Sequence, residues 1–440
     1  MKSLYRIILS GLFFVLPMAM LGQTPLSKHQ SQGWWPMLKN GGMVRTRGAD
    51  GRRTGDHYLI LDDGMGSIFG MNFVDGYLVG PDLTLGFIDD TYTRWELDID
   101  AKWAFSREAF AGVLAFRCIM PPQTGTRLEF FGGQQSVDFD PEPLMPVGHQ
   151  ALAGSLLGWN DGKLYLSTTA GFRSSFAASG DVQLGIGLWW EKREREWQHK
   201  WRNLFRTKMQ DNVPRINGHD VETWQEDPLL HWQTERIIRL DVDLEYTPQR
   251  MFYIIDDMTV IEKSKWPTFG VSLKTGVDHD FSRGWRSLRF LSLDFSMKNT
   301  KQWALHNNQW RYYTSMGFFP IHSWVHLADM RHFDASDFQW QVNDGLRWFS
   351  LLTNYEMSSN RSWIEGHGEL SGENILLSRL SSNRSFREYI QLHALQTYRR
   401  DPHIEFSYGI DIKRKFRLGG TVGLEGRYYD GTTFNVIFAL

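Results

Sequence analysis

The sequence predicts an all-β protein that forms a transmembrane antiparallel β-barrel. Three observations lead to that expectation: apolar and polar residues alternate with period two in segment after segment, the chain begins with an export signal, and its 440 residues include 19 Trp, 15 Tyr and 29 Phe. Period-two alternation is typical of strands, whereas the same segments wound as helices would carry charges all round the cylinder. With about 9 to 11 membrane residues in each strand, we expect roughly 14 to 18 strands.

The N-terminal residues predict a signal peptide. Lys2 and Arg6 precede an apolar run from Ile7 to Met20, and Leu21-Gly22-Gln23 fits a cleavage zone. We therefore divide the chain into a signal peptide (1–22), an N-terminal segment that is either periplasmic or a lumen plug (23–65), and an outer-membrane β-barrel (66–440).

The alternating segments share one pattern, with apolar residues at every second position and polar or charged residues between them. They include Trp95 to Trp103, Leu240 to Tyr246, Ile404 to Ile410 and Leu418 to Tyr428. The pair Asp430-Gly431 is typical of a tight hairpin turn. The segment that follows it places Phe434, Val436, Phe438 and Leu440 on one face. We interpret this last segment as the strand that closes the barrel.

Alternation alone is compatible with two architectures. In a soluble sandwich the apolar face is the core, whereas in a membrane barrel it contacts lipid and the polar face lines a wet lumen. The export signal, the amphipathic last strand and the aromatic residues favour the barrel, because aromatic rings collect at both membrane interfaces. A soluble all-β hydrolase is the architectural alternative.

Composition excludes several other classes. With 48 Lys+Arg against 50 Asp+Glu, the chain has no global basic field to hold a nucleic acid. A mean hydropathy of −0.39 and the lack of a long apolar run after Gly22 argue against membrane helices. The single cysteine, Cys118, excludes a disulfide scaffold and a multi-cysteine metal site, and we expect its role to be structural.

Candidate functional residues are the polar side chains that we expect to face the lumen. They are Asp98, Asp100, Asp241, Asp243, Glu245, Glu365, His367, Glu369, Glu425 and Arg427. The acidic groups could favour cations in a lumen, but a cross-strand ladder with neighbouring Lys and Arg is the favoured interpretation.

Glu365, His367 and Glu369 would share one face of a strand, where they could bind a hard metal ion or serve as acid and base. A wet lumen requires polar residues without any such function, so we favour a simple lumen ladder. His322 and His326 have metal-like spacing only on a helix, and their surroundings indicate a turn and a strand. We therefore predict no catalytic, cofactor or metal site.

Several short motifs resemble a known family. Phe73 to Gly80 resembles the "N-x-V-[DE]-G-[FY]" strand of an outer-membrane β-barrel family of unknown function, which in longer members follows a carboxypeptidase-regulatory-like domain. Thr247 to Phe269, Met316 to Pro320 and Ile404 to Ile410 resemble further motifs of that family in the same order, so the similarity runs from about Gly66 to Leu440. The resemblance implies a barrel in the cell envelope, and it supplies no catalytic residue.

These observations predict a non-enzymatic transport, scaffold or envelope-assembly role in the outer membrane. A barrel-borne lipid-modifying enzyme remains an alternative. The expected partners are outer-membrane lipids, the barrel-assembly machinery that inserts the protein, and envelope proteins; we expect no cofactor and no nucleic acid.

Overall fold

A computed structural model describes most of the chain after residue 41. The described residues are 42–46, 57–61, 68–72, 74–89, 91–120, 125–141, 162–195, 212, 215–216, 219–220, 234–250, 252–255, 258–261, 264–279, 287–303, 308–335, 340–341, 346–373, 375–376, 386–412 and 416–438. The predicted signal peptide, most of the predicted N-terminal segment and Leu440 lie outside these residues.

Nearly all the secondary structure of the described residues is β-strand. In chain order the strands are β1 (Gly42–Thr46), β2 (His57–Leu61), β3 (Phe69–Asn72), β4 (Gly76–Val79), β5 (Asp82–Ile88), β6 (Arg94–Ala104), β7 (Ala109–Ile119), β8 (Arg127–Asp138), β9 (Leu164–Ala177), β10 (Val182–Glu194), β11 (Arg215–Ile216), β12 (His219–Asp220), β13 (Glu235–Tyr246), β14 (Phe252–Ile255), β15 (Met258–Ile261), β16 (Thr268–Asp278), β17 (Leu288–Trp303), β18 (Asn308–His322), β19 (Trp340–Gln341), β20 (Ser362–Gly372), β21 (Phe386–Thr397), β22 (His403–Ile412), β23 (Phe416–Glu425) and β24 (Tyr428–Phe438). A short 3-10 helix occupies Leu327–Asp329. No helix in the described part of the chain is long and apolar enough to cross a membrane.

One large sheet of 20 strand segments contains all the strands except two small hairpins, β11–β12 and β14–β15. Successive strands pair antiparallel along the chain. Segments β4 and β5 both pair with β6 and together form one interrupted strand. Segments β3 and β2, which pair with β4 and β5 respectively, form a second interrupted strand. Counted in this way, the sheet has 18 strands among the described residues. The predicted all-β, antiparallel fold is confirmed.

The two ends of the sheet are β1 and β24. Among the described residues no backbone pairing joins these two strands directly. The outer edge of β24 pairs in parallel with the two residues of β19, at Val436 and Ile437. Strands β1 and β2, which precede residue 66, also belong to the sheet.

The two faces of the sheet have opposite character, as period-two alternation requires. On β7, Phe110, Leu114 and Phe116 are exposed while Ala111 and Ala115 between them are buried. On β20 the exposed side chain, Ile364, is again apolar, and the buried side chains include Glu365, His367 and Glu369. The sheet therefore has an apolar outer face and a largely polar inner face.

The connection between β18 and β20 lies against the inner face. This inner segment (residues 323–361, described over 323–335, 340–341 and 346–361) packs its apolar side chains on residues from distant strands. The apolar cluster around this segment includes Phe139 and Tyr165, which belong to the β8–β9 part of the sheet. It also includes Trp363 of β20 and Leu395 of β21, which come from a distant part of the sheet. Because one short segment contacts strands from β8 to β23, the sheet must curl around it.

The longest connections lie at one end of the strands. Because the strands alternate in direction, the connections 139–163, 195–234 and 323–361 all begin and end at that end of the strands. The next longest connection, 247–267, begins and ends at the opposite end, where β24 also finishes.

The prediction of a hairpin turn at Asp430-Gly431 was wrong. The chain turns instead at Gly426, which has a φ of 62° and whose amide donates to Pro402 O at 2.8 Å, and Asp430 is the extra residue of a β-bulge inside β24.

Candidate functional site

The two acidic residues of β6 that the sequence marked as candidates each lie beside a basic side chain. Asp98 forms an ion pair with Arg117 of β7 and accepts a hydrogen bond from the Thr84 hydroxyl of β5 at 2.6 Å. Asp100 lies 2.7 Å from the ammonium of Lys102. These contacts join three adjacent strands at one level of the sheet.

The acidic residues of β13 have less uniform surroundings. Asp241 is half-buried with its carboxylate 3.7 Å from Arg239, whereas Asp243 is exposed. Glu245 lies 3.3 Å from Lys298, and both side chains are well exposed. Glu425 and Arg427 are exposed at the β23–β24 turn. In β24, Phe434 is 61% exposed and Val436 half-buried, while the side chains of Phe438 and Leu440 lie outside the described residues.

The inner face of β20 carries Glu365, His367 and Glu369, and both carboxylates form ion pairs with arginines. Glu369 accepts hydrogen bonds from Arg311 and Arg417, each at 2.8 Å, and Glu365 forms an ion pair with Arg331 of the inner segment. Guanidinium groups thus take the positions that a cation would need.

A buried charge cluster attaches the inner segment to β10 and β13. The Arg193 guanidinium is 1% exposed and donates to Asp329 of the 3-10 helix at 2.5 and 2.9 Å, to Glu191 at 2.9 Å and to Glu235 at 3.2 Å. Arg239 adds a contact to Asp329 at 3.3 Å. Burial alone would raise the pKa of Asp329, but the two arginines outweigh it and hold that pKa below its ordinary value. The carboxylate therefore stays charged and paired.

A second set of contacts attaches the inner segment to the strands on either side. The Tyr355 hydroxyl donates to Asp138 at 2.6 Å, at the end of β8. On the other side, Glu405 of β22 accepts hydrogen bonds from the backbone amides of Ser350 at 2.7 Å and Leu351 at 2.9 Å. The inner segment is thus held by polar bonds from opposite parts of the curved sheet.

Two histidines of the inner segment are buried and neutral. Burial lowers the pKa of His326 to about 3 and that of His332 to about 4. His326 caps the 3-10 helix by accepting from the Ala328 amide, and His332 lies 2.8 Å from both Leu327 O and the Ser358 hydroxyl. Ser358 donates to Tyr355 O at 2.9 Å, so this serine and histidine serve backbone hydrogen bonding rather than nucleophilic chemistry.

The distances among Glu235, His326 and Asp329 would suit a metal ion, because one ligand atom from each lies within 4.8 Å of the others. Arg193, however, bonds both carboxylates of that group. The cluster is therefore an ion-pair network in which a guanidinium already supplies the positive charge.

The inner segment leaves one polar cavity against the sheet, with a volume of about 60 Å³. Side chains of both signs line it, among them Lys274, Asp294, Arg331, Asp334 and Arg347. A polar cavity of that size has room for a few waters and is far smaller than the pockets that hold organic ligands.

Sequence reasoning missed a cluster of three buried histidines. His367, His393 and His403 come from the consecutive strands β20, β21 and β22 and surround Phe349 of the inner segment, with ring centroids 4.9, 5.9 and 6.0 Å from the phenyl ring. Alternation could place each histidine on the inner face, but only the pairing register brings them together.

The curled antiparallel sheet, with an apolar outer face and an occupied polar interior, defines a protein of outer-membrane β-barrel-like fold. The chain belongs to a family of unknown function, the DUF5686 C-terminal domain family, which matches residues 53–410. This match confirms the prediction, made from the motifs, that the chain belongs to a family of unknown function. No match was found among functionally characterised proteins.

The solved structures to which this chain has a distant similarity include three β-barrel proteins. BamA from Haemophilus ducreyi lacking POTRA domains 1-3 is 10% identical, with a TM-score of 0.42 over 90% of this chain and 74% of that chain. Wzi of Escherichia coli, a carbohydrate-binding β-barrel involved in group 1 capsule assembly, is 9% identical, with a TM-score of 0.34 over 91% and 83%. A mutant Rh. blastica porin is 6% identical, with a TM-score of 0.30 over 90% and 95%. At these identities the similarity concerns the fold alone.

Proposed function

We propose that the protein is an outer-membrane β-barrel whose interior is closed by the inner segment, and that it has a non-enzymatic scaffold or assembly role in the cell envelope. An open channel is the function that this arrangement disfavours most. The observation that carries the proposal is the attachment of the inner segment to opposite parts of the sheet through Arg193, Asp138 and Glu405.

The outer face supports insertion in a membrane. Large apolar side chains are more than 40% exposed on strands all along the sheet, including Leu85, Phe116, Phe130, Leu188, Phe295, Met316, Ile364, Leu392, Phe406 and Val422. In water such a continuous apolar surface would cause association, whereas in a bilayer it is the lipid-facing wall. A soluble hydrolase does not account for this surface.

The distribution of connections supports a particular orientation. Outer-membrane barrels have short periplasmic turns and longer external loops. The long connections at one end of the strands and the end of β24 at the other therefore favour a periplasmic C-terminus. In that orientation the inner segment folds into the barrel from outside the cell.

The polar interior supports a structural role for most of the predicted lumen residues. Glu365 and Glu369 are satisfied by arginines, and Asp98 and Asp100 by Arg117 and Lys102. The pairs that join adjacent strands, Asp98 with Arg117 and Glu369 with Arg311, brace those strands. None of these carboxylates requires a transported cation to balance its charge. The lipid-modifying alternative has less support, because the serine–histidine contact at Ser358 is buried and turned to backbone carbonyls.

The first experiment tests membrane insertion and closure together. We expect the purified protein to co-fractionate with the outer membrane, to shift in electrophoretic mobility on boiling, and to give almost no conductance in planar bilayers at pH 7.5. A soluble protein without a mobility shift would contradict the barrel, and steady conductance at pH 7.5 would contradict closure by the inner segment.

The second experiment tests the scaffold or assembly role. Cross-linking in intact cells followed by affinity purification should recover envelope proteins with the wild-type chain. The matched control is Arg193→Gln with Glu405→Ala, in which the inner segment loses attachments but the outer face is unchanged. Recovery of the barrel alone would argue against a scaffold role, and altered phospholipid or lipid A on overexpression would favour the enzymatic alternative.

A further inference from the structure

The buried histidine cluster lies where the inner segment meets β20, β21 and β22. His367 and His393 are cross-strand partners, and their Nδ1 atoms are 2.8 Å apart. His403 Nε2 lies 2.8 Å from Glu405, the carboxylate that accepts from the Ser350 and Leu351 amides. Each of the three histidines is at most 3% exposed. The cluster therefore contacts the ring of Phe349 directly, and the backbone that follows this ring only through Glu405.

The contact between His367 and His393 holds only one proton. A hydrogen bond between two Nδ1 atoms needs one donor and one acceptor, so one ring must leave its Nδ1 unprotonated. His367 Nε2, which is 3.4 Å from Glu365, can donate to that carboxylate while Nδ1 accepts from His393. If both rings become imidazolium, the hydrogen bond is lost and two like charges meet in a buried site.

His403 differs from this pair because carboxylates lie at both of its nitrogens. Its Nδ1 is 3.5 Å from Asp430, in addition to the contact with Glu405. By contrast, Glu365 beside His367 is already paired with Arg331. The other ionisable groups that face the cluster are Tyr313 of β18, whose ring is 6.0 Å from His367, and Arg347 over that tyrosine.

We propose that the His367–His393 pair is an acid-sensitive latch that releases the inner segment from β20–β22 when both rings are protonated. The inference rests on the proposed closure of the barrel by that segment. Closed protein disfavours the second proton and released protein accepts it, so proton uptake and release are linked. Because an unperturbed histidine titrates near pH 6.5, release becomes more favourable below that pH, by up to about tenfold per pH unit for each additional proton.

The other buried histidines do not form this latch. His326 and His332 bond to backbone groups of the inner segment itself, so their protonation breaks bonds within that segment. They add acid sensitivity of their own, and for that reason the test compares a variant with the wild type instead of relying on pH alone.

The test is single-barrel conductance of full-length protein in planar bilayers at pH 7.5 and pH 5. We expect wild type to be closed at pH 7.5 and to open at pH 5. The variant His367→Asn with His393→Asn keeps a hydrogen-bonding side chain at both positions without a titrating ring. We expect its open probability at pH 5 to be at least about tenfold below that of wild type, from the one proton removed.

The matched control is His279→Asn, which removes an exposed histidine and should behave as wild type. The mobility shift on boiling verifies that each variant forms the barrel. Wild type that stays closed at pH 5, or a double variant that opens there within twofold of wild type, would overturn the latch. Wild type already open at pH 7.5 would instead overturn the proposed closure, and the latch with it.

If the double variant fails to form a barrel, a second measurement keeps the proposal testable. Phe349→Ala leaves both histidines in place and removes the ring that they surround. We expect it to raise the open probability at pH 7.5 while a dependence on pH remains. A closed F349A protein at both pH values would count against the latch.

Discussion

At the scale of single residues, Arg193 joins the inner segment to β10 and β13. Its guanidinium is fully buried and bonds Glu191, Glu235 and Asp329. We expect Arg193→Gln to lower the free energy of unfolding by about 3–5 kcal/mol, because it leaves buried carboxylates without their partner. The measurement is the urea midpoint of the mobility shift. Arg127→Gln, which removes a half-exposed pair with Glu129, should cost about 0–1 kcal/mol, and equal losses in both variants would contradict this account.

His332 provides a prediction on pH dependence. Its pKa in the folded protein is about 4, because burial disfavours the charged ring. A histidine with a lowered pKa contributes its full stability above pH 6.5 and loses it progressively as the pH falls from 6.5 to 4. From pH 7 to pH 4 we expect wild type to lose on the order of 3 kcal/mol more than His332→Asn does. Equal losses in the two proteins, measured as urea midpoints, would show that His332 is not buried in this way.

The individual partners could not be predicted from the sequence. Alternation marks Glu365, His367 and Glu369 as one face of a strand, but their partners lie between 26 and 48 positions away. One of these partners, Arg331, is on a connection that has no period at all. Register and loop path are set by long-range contacts that a local pattern does not contain.

At the scale of elements, the inner segment was the feature that the sequence concealed. Its residues have neither strand nor helix periodicity, and the N-terminal segment was the only one considered as a plug. By contrast β20 and β22 were predictable, because their alternation is strict and each strand has one apolar and one polar face. The part of β24 that follows Gly431 was predictable for the same reason. The misplaced turn at Asp430-Gly431 shows the limit of this reasoning, since a bulge absorbed a pair that is typical of turns.

A disulfide should fix the inner segment to the sheet. The Ser350 and Thr421 hydroxyl oxygens are 3.4 Å apart, which places the two side chains within reach of a disulfide. In a Cys118→Ala background, we expect Ser350→Cys with Thr421→Cys to cross-link on mild oxidation and to abolish any opening, with recovery after reduction. Ser350→Cys alone is the control. Failure of the pair to cross-link in folded barrels would place the inner segment elsewhere.

At the scale of the whole molecule, the period-two pattern was sufficient for the fold class because it repeats in nearly every strand. It could not decide what solvent the apolar face contacts, since water-soluble sandwiches and membrane barrels share the pattern. The exposure of the apolar side chains helps to decide between these two architectures. The inner face already packs against the inner segment, so the apolar residues on the opposite face have no protein to cover them.

The solvent of the outer face can be measured on a single strand. Leu114 lies in the middle of β7 and is 54% exposed, and Phe110 lies on the same face next to the turn and is 72% exposed. In a bilayer Leu114→Arg should lower the free energy of unfolding by about 2–4 kcal/mol and Phe110→Arg by about 0–1 kcal/mol, because the cost of a charge depends on depth. Both substitutions at a water-exposed surface would stay within about 0.5 kcal/mol. The measurement is the urea midpoint of the protein folded into phospholipid vesicles. A large cost at residue 114 with a small one at 110 would place the middle of β7 in the hydrocarbon, and two small costs would contradict a lipid-facing wall.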